Sequence, residues 1–450
     1  MVSLILAAGM SSRMKSKYPK VTHRLCGKPM IQWVLDAVFG VADKVCVVVG
    51  HQAEMVKQVL PDNVDVAYQA EQLGTAHAVM SAKNFINPTD DVLILYGDMP
   101  LIRQETLQKI IRAHHSGDYD VTIVSVDMAD PTGYGRIIKD DAGEFVKIVE
   151  EFDASEEEKK IREINTGVYV FKGEKLLEVL PKVKHENRKN EYYLTDAVGL
   201  LEKVNVYKDS NAEDFSGVNN RIQLAEVERI LRRRILEKLM LEGVTIIDPL
   251  STYIDANVKI GRDTVIYPMS FLEGETSVGE DCVIGPMTRI VNCVIEDRVT
   301  VTRSECVGAH IMCDVSVGPF SRLREGTVLY PKVKIGNFVE VKNSKIGPNT
   351  KAQHLTYLGD SQIGENVNVG AGTITCNFDG KKKNQTVIED QVFIGSNTAL
   401  VAPVRIKKGA FVAAGSTITQ DVPEWSLAIA RARQENKPDW VLKKKQKEEG

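Results

Sequence analysis

At 450 residues the chain has room for two or three domains with full cores. Its 43% apolar and 26% charged residues are ordinary for a globular protein, and a net charge of −4 gives no reason to expect nucleic acid or a membrane surface as a partner. No apolar run approaches the ~18–20 residues of a membrane span, and seven Cys without a CxxC pair argue against a disulfide framework or structural zinc and for small buried thiols in a reducing cytosol.

The opening segment Val2–Leu6 is apolar, lacks a basic leader and runs into Gly9, so it reads as a first strand and not as a signal peptide. Short apolar runs then alternate with amphipathic ones. The pattern predicts a helix over 30–39, a strand Lys44–Val49, a helix over 76–84 and a strand Asp91–Tyr96. This rhythm implies an α/β, Rossmann-like domain: a mostly parallel sheet with helices on both faces and ligands beyond the carboxyl ends of the strands.

Chemistry-bearing motifs fall at those ends. After the first strand comes Ala7-Ala8-Gly9-Met10-Ser11-Ser12-Arg13, whose small residues let backbone amides approach a phosphate or base; Arg13 and, after Pro19, Lys20 supply cations. It is not a Walker A loop. Gln69 offers a donor and an acceptor suited to a uracil edge, and Gly74-Thr75 opens a helix. In Tyr96-Gly97-Asp98, a carboxylate at a strand end can hold Mg²⁺. Gly135, Glu150, Asn165 and Asn219 sit in further short motifs, each weak alone.

Residues 221–242 carry helical periodicity, with Gly243 as a stop signal. Such a helix would span about 33 Å, enough to hold two domains apart. Arg232-Arg233-Arg234 reads as a solvated face of it.

Beyond it a six-residue beat begins. Ile254, Ile260, Ile266, Leu272, Val278, Ile284 and Ile290 keep it, and it returns from Ile388 to Ile418. A Gly often follows the aliphatic residue, as at Gly261, Gly285, Gly336, Gly364 and Gly395. This period suits a triangular solenoid with three hexapeptides per turn, the aliphatic residue inside and Gly easing the corner. Slips at 291–295, 307–317 and 376–388 are expected to be loops or corners, the last carrying Lys381-Lys382-Lys383 on an exposed excursion. The segment 351–360 reads as a break in the beat that brings His354, Tyr357 and Asp360 together. Arg324 and Lys342 are eighteen residues apart, one turn, which stacks two cations as an anion such as a sugar phosphate would require; Asn368 is expected at a whole-coil separation from them. The tail after Arg431 reads as frayed.

Taken together and in order, the motifs of the first half resemble the sugar-nucleotide pyrophosphorylases. With the repeats added, the chain from about Leu4 to Arg431 resembles the GlmU family, enzymes that join N-acetylglucosamine-1-phosphate uridylyltransferase to glucosamine-1-phosphate N-acetyltransferase. The resemblance implies a uridylyltransferase domain over 1–220, a linker helix over 221–242, and a left-handed parallel β-helix acetyltransferase domain with a tail over 243–450. It assigns Leu6, Ala7, Ala8, Gly9, Lys20, Gln69, Gly74 and Thr75 to uridine and phosphates. Tyr96, Gly97 and Asp98 fall to ribose, sugar and metal, and Gly135, Glu150 and Asn165 to the N-acetylglucosamine moiety. Asp98 and Asn219 would ligate Mg²⁺, and Arg13 and Lys20 would neutralise charge during transfer. In the second domain His354 would be the general base, with Arg324, Lys342, Tyr357 and Asn368 on the sugar phosphate and Ala371, Asn377, Phe378, Ser396, Ala414 and Arg431 on acetyl-CoA.

The resemblance also implies a cytoplasmic homotrimer built through the β-helix, with small-molecule substrates and a place in cell-wall precursor synthesis. Two departures stand out: Ser11 where the family commonly has Gly, and Phe378 where it often has Tyr. A pyrophosphorylase whose solenoid only oligomerises is the main competing plan, and His354, Tyr357, Arg324 and Lys342 argue against it. A non-enzymatic exchange-factor relative is opposed by intact Arg13, Lys20, Asp98 and Asn219.

Overall fold

The computed structural model describes residues 1–10 and 12–448. Two compact units, Met1–Arg233 and Arg234–Gly450, divide the chain inside the helix Arg221–Leu241.

In the first unit a nine-stranded sheet has the main path Val204–Lys208, Val121–Asp127, Glu163–Lys172, Asp91–Tyr96, Val2–Leu6, Lys44–Val49, Asp65–Tyr68. Pairing along this path is parallel except at Glu163–Lys172, which is antiparallel to both neighbours. The strands Gly135–Lys139 and Phe145–Val149 hang from it as an antiparallel pair. Strand Val2–Leu6 is apolar throughout because both its faces are covered: Leu4 and Leu6 enter one core, Ile5 the other. Helices Met30–Val38 and Gln104–His115 close one face; Thr75–Ser81, Gly173–Val179 and Leu194–Val198 close the other. Each fully buried aliphatic side chain contributes about 1.5–3 kcal/mol. The helix expected over 76–84 is Thr75–Ser81 followed by a 3₁₀ turn, Lys83–Phe85. The chain departs from Val2–Leu6 to one side through Lys44–Val49 and to the other through Asp91–Tyr96, so a crevice opens where these carboxyl ends diverge.

The helix Arg221–Leu241 ends before Gly243, whose φ of 102° supplies the left-handed stop. The arginine run is more than a solvated face: Arg233 grips both oxygens of Glu213, at 3.0 and 3.1 Å.

The second unit is a three-faced parallel β-helix. One face is a nine-stranded ladder; the other two join into a nineteen-stranded one. They join because Lys334–Lys342 and Lys351–Gly359 run unbroken round the corner between those faces, with Phe338 and Leu355 left-handed at the bend (φ 58° and 42°). The segment 351–360 therefore keeps the beat. Ala352 and Leu358 are its inward, fully buried residues, and the small Ala disguises the position.

Two slips prove to be shortened corners. Ile290 pairs with Cys306 and Ile295 with Ile311, sixteen residues on where Leu272 to Ile290 is eighteen. At 376–388 the slip is an inserted excursion, since Ile363 pairs with Ile388, and Lys381 to Lys383 are exposed on it as expected.

The glycines do a different job from the one expected. Gly285 is left-handed (φ 100°), but Gly261, Gly336, Gly364 and Gly395 are not. A Cβ at Gly347 would lie 2.5 Å from the carbonyl carbon of Gly364 in the next coil, so these glycines let coils stack closely. The corner is turned two residues later by Asp263, Asn349 and Asn366, with φ of 61°, 59° and 55°. Trp440–Glu448 forms a helix with all of its side chains exposed, where a frayed tail was expected. Five of the seven thiols are buried; Cys313 and Cys376 are half-buried.

Candidate active sites

A cavity of about 450 Å³ opens in the first unit at the crevice. Leu6, Ala7, Ala8, Gly9, Arg13, Lys20, Gln69, Gly74, Thr75, Tyr96, Asp98 and Asn219 all line it. Ser11 lies outside the described residues.

Its polar centre is one side chain, Asn219. Oδ1 of Asn219 accepts from Arg13 Nη2 at 2.8 Å and from Lys20 Nζ at 3.2 Å, and the same Lys20 ammonium pairs with Asp98. Residues far apart in sequence meet here because Asp98 follows the strand Asp91–Tyr96, Arg13 and Lys20 come after Val2–Leu6, and the segment before the helix Arg221–Leu241 is fastened to Asp98. The amide of Gly97 donates to Leu6 O at 2.9 Å, and that of Val218 to Asp98 O at 3.0 Å. Two hard oxygens, Asp98 Oδ2 and Asn219 Oδ1, thus both face the Lys20 ammonium, and such an oxygen pair suits a small divalent cation completed by phosphate and water. Among the described residues no cluster of three or more His, Cys, Asp or Glu offers an alternative metal site.

Gln69 is buried, and its amide nitrogen is committed to Gly74 O and His77 Nδ1, both at 3.1 Å. The donor expected for a base is therefore spent, and the carbonyl oxygen is what remains to offer. Gly74 is left-handed (φ 113°), and a Cβ there would lie 2.5 Å from Tyr192 O. That contact reveals a wall the sequence did not announce. Residues 191–194 dock on the Gly74 turn through Tyr192 N to Leu73 O (2.7 Å) and Leu194 N to Thr75 Oγ1 (2.9 Å), which places Glu191 in the lining.

Gly135, Glu150 and Asn165 do not line this cavity but neighbour one another: Gly135 pairs with Asn165, and a Cβ on Gly135 would sit 3.6 Å from Glu150 Oε2. Thr195, another residue without a sequence signal, donates to Glu150 at 3.1 Å. Burial pushes the Glu150 carboxyl up. Burial also raises the Tyr96 phenol, and the charges of Glu150 and Asp98 add to the effect.

In the second unit one corner carries a continuous line. Asn337 pairs with His354, Leu355 O accepts from Gly372 N (2.8 Å), Ala371 O from Asn397 N (2.7 Å), Ser396 O from Gly415 N (2.8 Å) and Ala414 O from Arg431 Nη1 (2.8 Å). His354, Ala371, Ser396, Ala414 and Arg431 therefore stack coil upon coil. His354 Nδ1 lies 3.1 Å from Asn337 Oδ1.

The adjoining face ends at Arg324 and Lys342, stacked one coil apart as expected, though Arg324 is paired with Glu340 at 3.0 Å. Tyr357 lies one coil on, its hydroxyl 3.4 Å from Asn377 Nδ2. Asp360 accepts from Asn343 and Asn377, both at 2.6 Å. Burial raises the Asp360 carboxyl, but these two amides and the nearby Lys342 and Lys383 outweigh it and hold the group low. The ammonium of Lys383, on the excursion, is pushed down by the side-chain contact with Lys342 and then by the Lys342 charge. Phe378 is exposed and bridges Lys383. Asn368 departs from expectation: it pairs with Lys351 and Phe393, on the other side of the His354 corner from Arg324 and Lys342. Asn368 lies 26 residues past Lys342, about one and a half coils, so it cannot fall on the same edge.

Three families match along the chain: MobA-like NTP transferase domains over residues 3–186, the C-terminal domain of GMPPB over 250–357, and the hexapeptide repeat of succinyl-transferase over 385–420. The bifunctional protein GlmU of Pseudothermotoga lettingae is 68% identical over 446 residues, 99% of each chain. That of Thermotoga petrophila is 59% identical over 448 residues, 100% of each. The chain belongs to the GlmU family. It is a bifunctional transferase, with a uridylyltransferase N-terminal domain and a left-handed β-helix acetyltransferase C-terminal domain. GlmU nucleotidyl transfer goes with a divalent metal and small-molecule substrates, and hexapeptide repeats favour oligomers. No helix among the described residues is long and apolar enough to cross a membrane.

Proposed function

We propose that the first unit transfers UMP from UTP to N-acetylglucosamine 1-phosphate, with Mg²⁺ as the metal, and that the second acetylates glucosamine 1-phosphate from acetyl-CoA, in a cytoplasmic homotrimer that supplies UDP-N-acetylglucosamine for cell-wall precursors. The observation that carries the two-activity reading is the corner line from His354 to Arg431, which an oligomerising solenoid would have no use for.

In the first unit a sugar-phosphate oxygen attacks the α-phosphorus of UTP and pyrophosphate leaves. The attacking group is already ionised, so no general base is needed. Arg13 and Lys20 neutralise charge, the amides of residues 7–9 approach the nucleotide, and the Gln69 carbonyl meets the uracil edge. Glu150 and Asn165, beside Gly135, receive the N-acetylglucosamine moiety. Mg²⁺ held by Asp98 and Asn219 would supply charge neutralisation at the phosphates.

In the second unit the glucosamine amine attacks the thioester carbonyl. His354 takes the amine proton, and the CoA thiolate leaves. A contact from Nδ1–H to Asn337 fits the tautomer that keeps Nε2 free to act as base. Backbone amides stabilise the tetrahedral oxyanion. Arg324 and Lys342, joined by Lys383, form a cationic corner for the sugar phosphate beside Tyr357, with acetyl-CoA along Ala371, Ser396, Ala414 and Arg431 and Asn377 and Phe378 near its reactive end. Asn368 reaches the sugar from the far side of the His354 corner.

The test supplies glucosamine 1-phosphate, acetyl-CoA, UTP and Mg²⁺ and measures CoA, pyrophosphate and UDP-N-acetylglucosamine. All three should appear. Pyrophosphate release only when N-acetylglucosamine 1-phosphate is supplied directly, with no CoA release, would leave a one-activity enzyme.

A further inference from the structure

Asn219 sits at the threshold of the helix Arg221–Leu241, and its setting is unusually determined. Asn220 Oδ1 accepts the amide of Gln223 at 2.9 Å. Gln223 Oε1 reaches back and accepts the amide of Asn219 at 2.8 Å. This is a reciprocal helix cap whose returning arm holds the residue before the cap. On its other side Val218 is fastened to Asp98 O. The backbone of Asn219 is thus held from the strand end by Val218 and from the helix by Gln223, and its side chain aims at Arg13 and Lys20. The same helix reaches the Lys20 segment twice more: Arg221 Nη1 meets His23 Nδ1 at 3.3 Å, and Glu228 Oε2 accepts the amide of Cys26 at 2.9 Å. Cys26 is left-handed (φ 45°) at the tip of the hairpin Arg24–Leu25 and Lys28–Pro29.

We propose that Gln223 is a positioning residue for uridylyl transfer: by holding the Asn219 amide it fixes the direction of Asn219 Oδ1, so the first turn of the connector helix belongs to the uridylyl site. The inference rests on the reading of Asn219 as a metal ligand.

The test uses the full chain and the variants Gln223→Ala, Gln223→Glu and Asn219→Ala. Mn²⁺ binding is followed by electron paramagnetic resonance in the presence of UDP-N-acetylglucosamine, alongside the metal concentration for half-maximal uridylyl transfer and the rate of acetyl transfer. Gln223→Ala should weaken Mn²⁺ binding and raise that concentration about five- to tenfold, the scale of one lost cap. Gln223→Glu, whose carboxylate accepts the same amide, should stay close to the parent, and acetyl transfer should be unchanged in both. If Asn219→Ala weakens Mn²⁺ binding and Gln223→Ala does not, the positioning role falls while the metal reading stands. If Asn219→Ala also leaves binding intact, the metal reading falls and the inference with it. Parallel loss of both activities in Gln223→Ala, or failure of Gln223→Glu to restore binding, would reduce Gln223 to a fold-stabilising residue.

Discussion

The two units build their sites by opposite routes. In the first, Arg13 reaches Asn219 across 206 residues of chain, and Lys20 reaches Asp98 across 78. Nothing periodic relates those positions; they meet because an α/β sheet delivers strand ends to one crevice. In the second unit, position along the chain converts into height along the prism, so His354, Ala371, Ser396, Ala414 and Arg431 align one coil above another, the coil between Ala371 and Ser396 lengthened by the excursion. A scattered site tolerates change in the intervening segments and depends on a few anchor contacts. A columnar site depends on every coil beneath it keeping register.

The sharpest break of that comparison is to disable one site and read the other. His354→Ala removes the group proposed as base, and acetyl transfer should fall by about 10²–10⁴-fold, while uridylyl transfer from supplied N-acetylglucosamine 1-phosphate is kept. Asp98→Ala should cut uridylyl transfer by about 10²–10³-fold, the scale of losing one charge-organising group, and spare acetylation. Steady-state rates of both reactions on each variant decide it; equal losses in either protein would mean that the sites are not independent.

Register should be the weak point of the second unit only. A methyl at Gly347 would press within 2.5 Å of the backbone of Gly364, which cannot swing aside as a side chain would. Gly347→Ala should therefore destabilise the β-helix by about 1–3 kcal/mol, as overpacking does. Thermal inactivation of acetyl transfer should move to lower temperature while that of uridylyl transfer stays put. Identical inactivation curves for the variant and the parent would show that the coils can part to admit the methyl.

Much of both architectures was legible, for reasons that differ. Strands Val2–Leu6, Lys44–Val49 and Asp91–Tyr96 are continuous apolar runs because the sheet is buried on both faces, and they stand where the sequence puts them. The motif at their ends named most of the cavity lining. Glu191 in the lining, and Thr195 on Glu150 beside it, escaped because a backbone docking, Tyr192 on Leu73, brings them in and leaves no mark on side-chain chemistry. The beat identified the prism, and counting by eighteens placed Arg324 over Lys342; Asn368, 26 residues further on, is about one and a half coils away and so belongs to another face, and coils of sixteen, seventeen and eighteen residues coexist. Ala352 hid an inward position for the same reason that Ile marks one: the pattern is read through side-chain size, while the corner tracks the backbone.

Charge links repeat the contrast at lower stakes. In the β-helix, ion pairs join neighbouring coils, as Arg298 does to Asp314 at 2.8 Å, sixteen residues on. In the first unit Asp118 holds both Lys172 and Lys203, tying the end of one strand to the approach of another. The hydrogen bonds from Lys172 and Lys203, with their charges, hold the Asp118 carboxyl down at about 2. A depressed carboxyl stabilises the fold fully above its unfolded value near ~4, and that contribution fades as pH falls through the folded value. Asp118→Asn should accordingly be slightly less stable than the parent at neutral pH, and the gap should close between about pH 4 and pH 2. It should also shrink in high salt, because Asp118 is exposed and the pairs are screened. Hydrogen-exchange protection of Val121–Asp127 and Val204–Lys208, compared at several pH values, reads this effect within the first unit. A gap that ignores pH would assign the role of Asp118 to its shape and not to its charge.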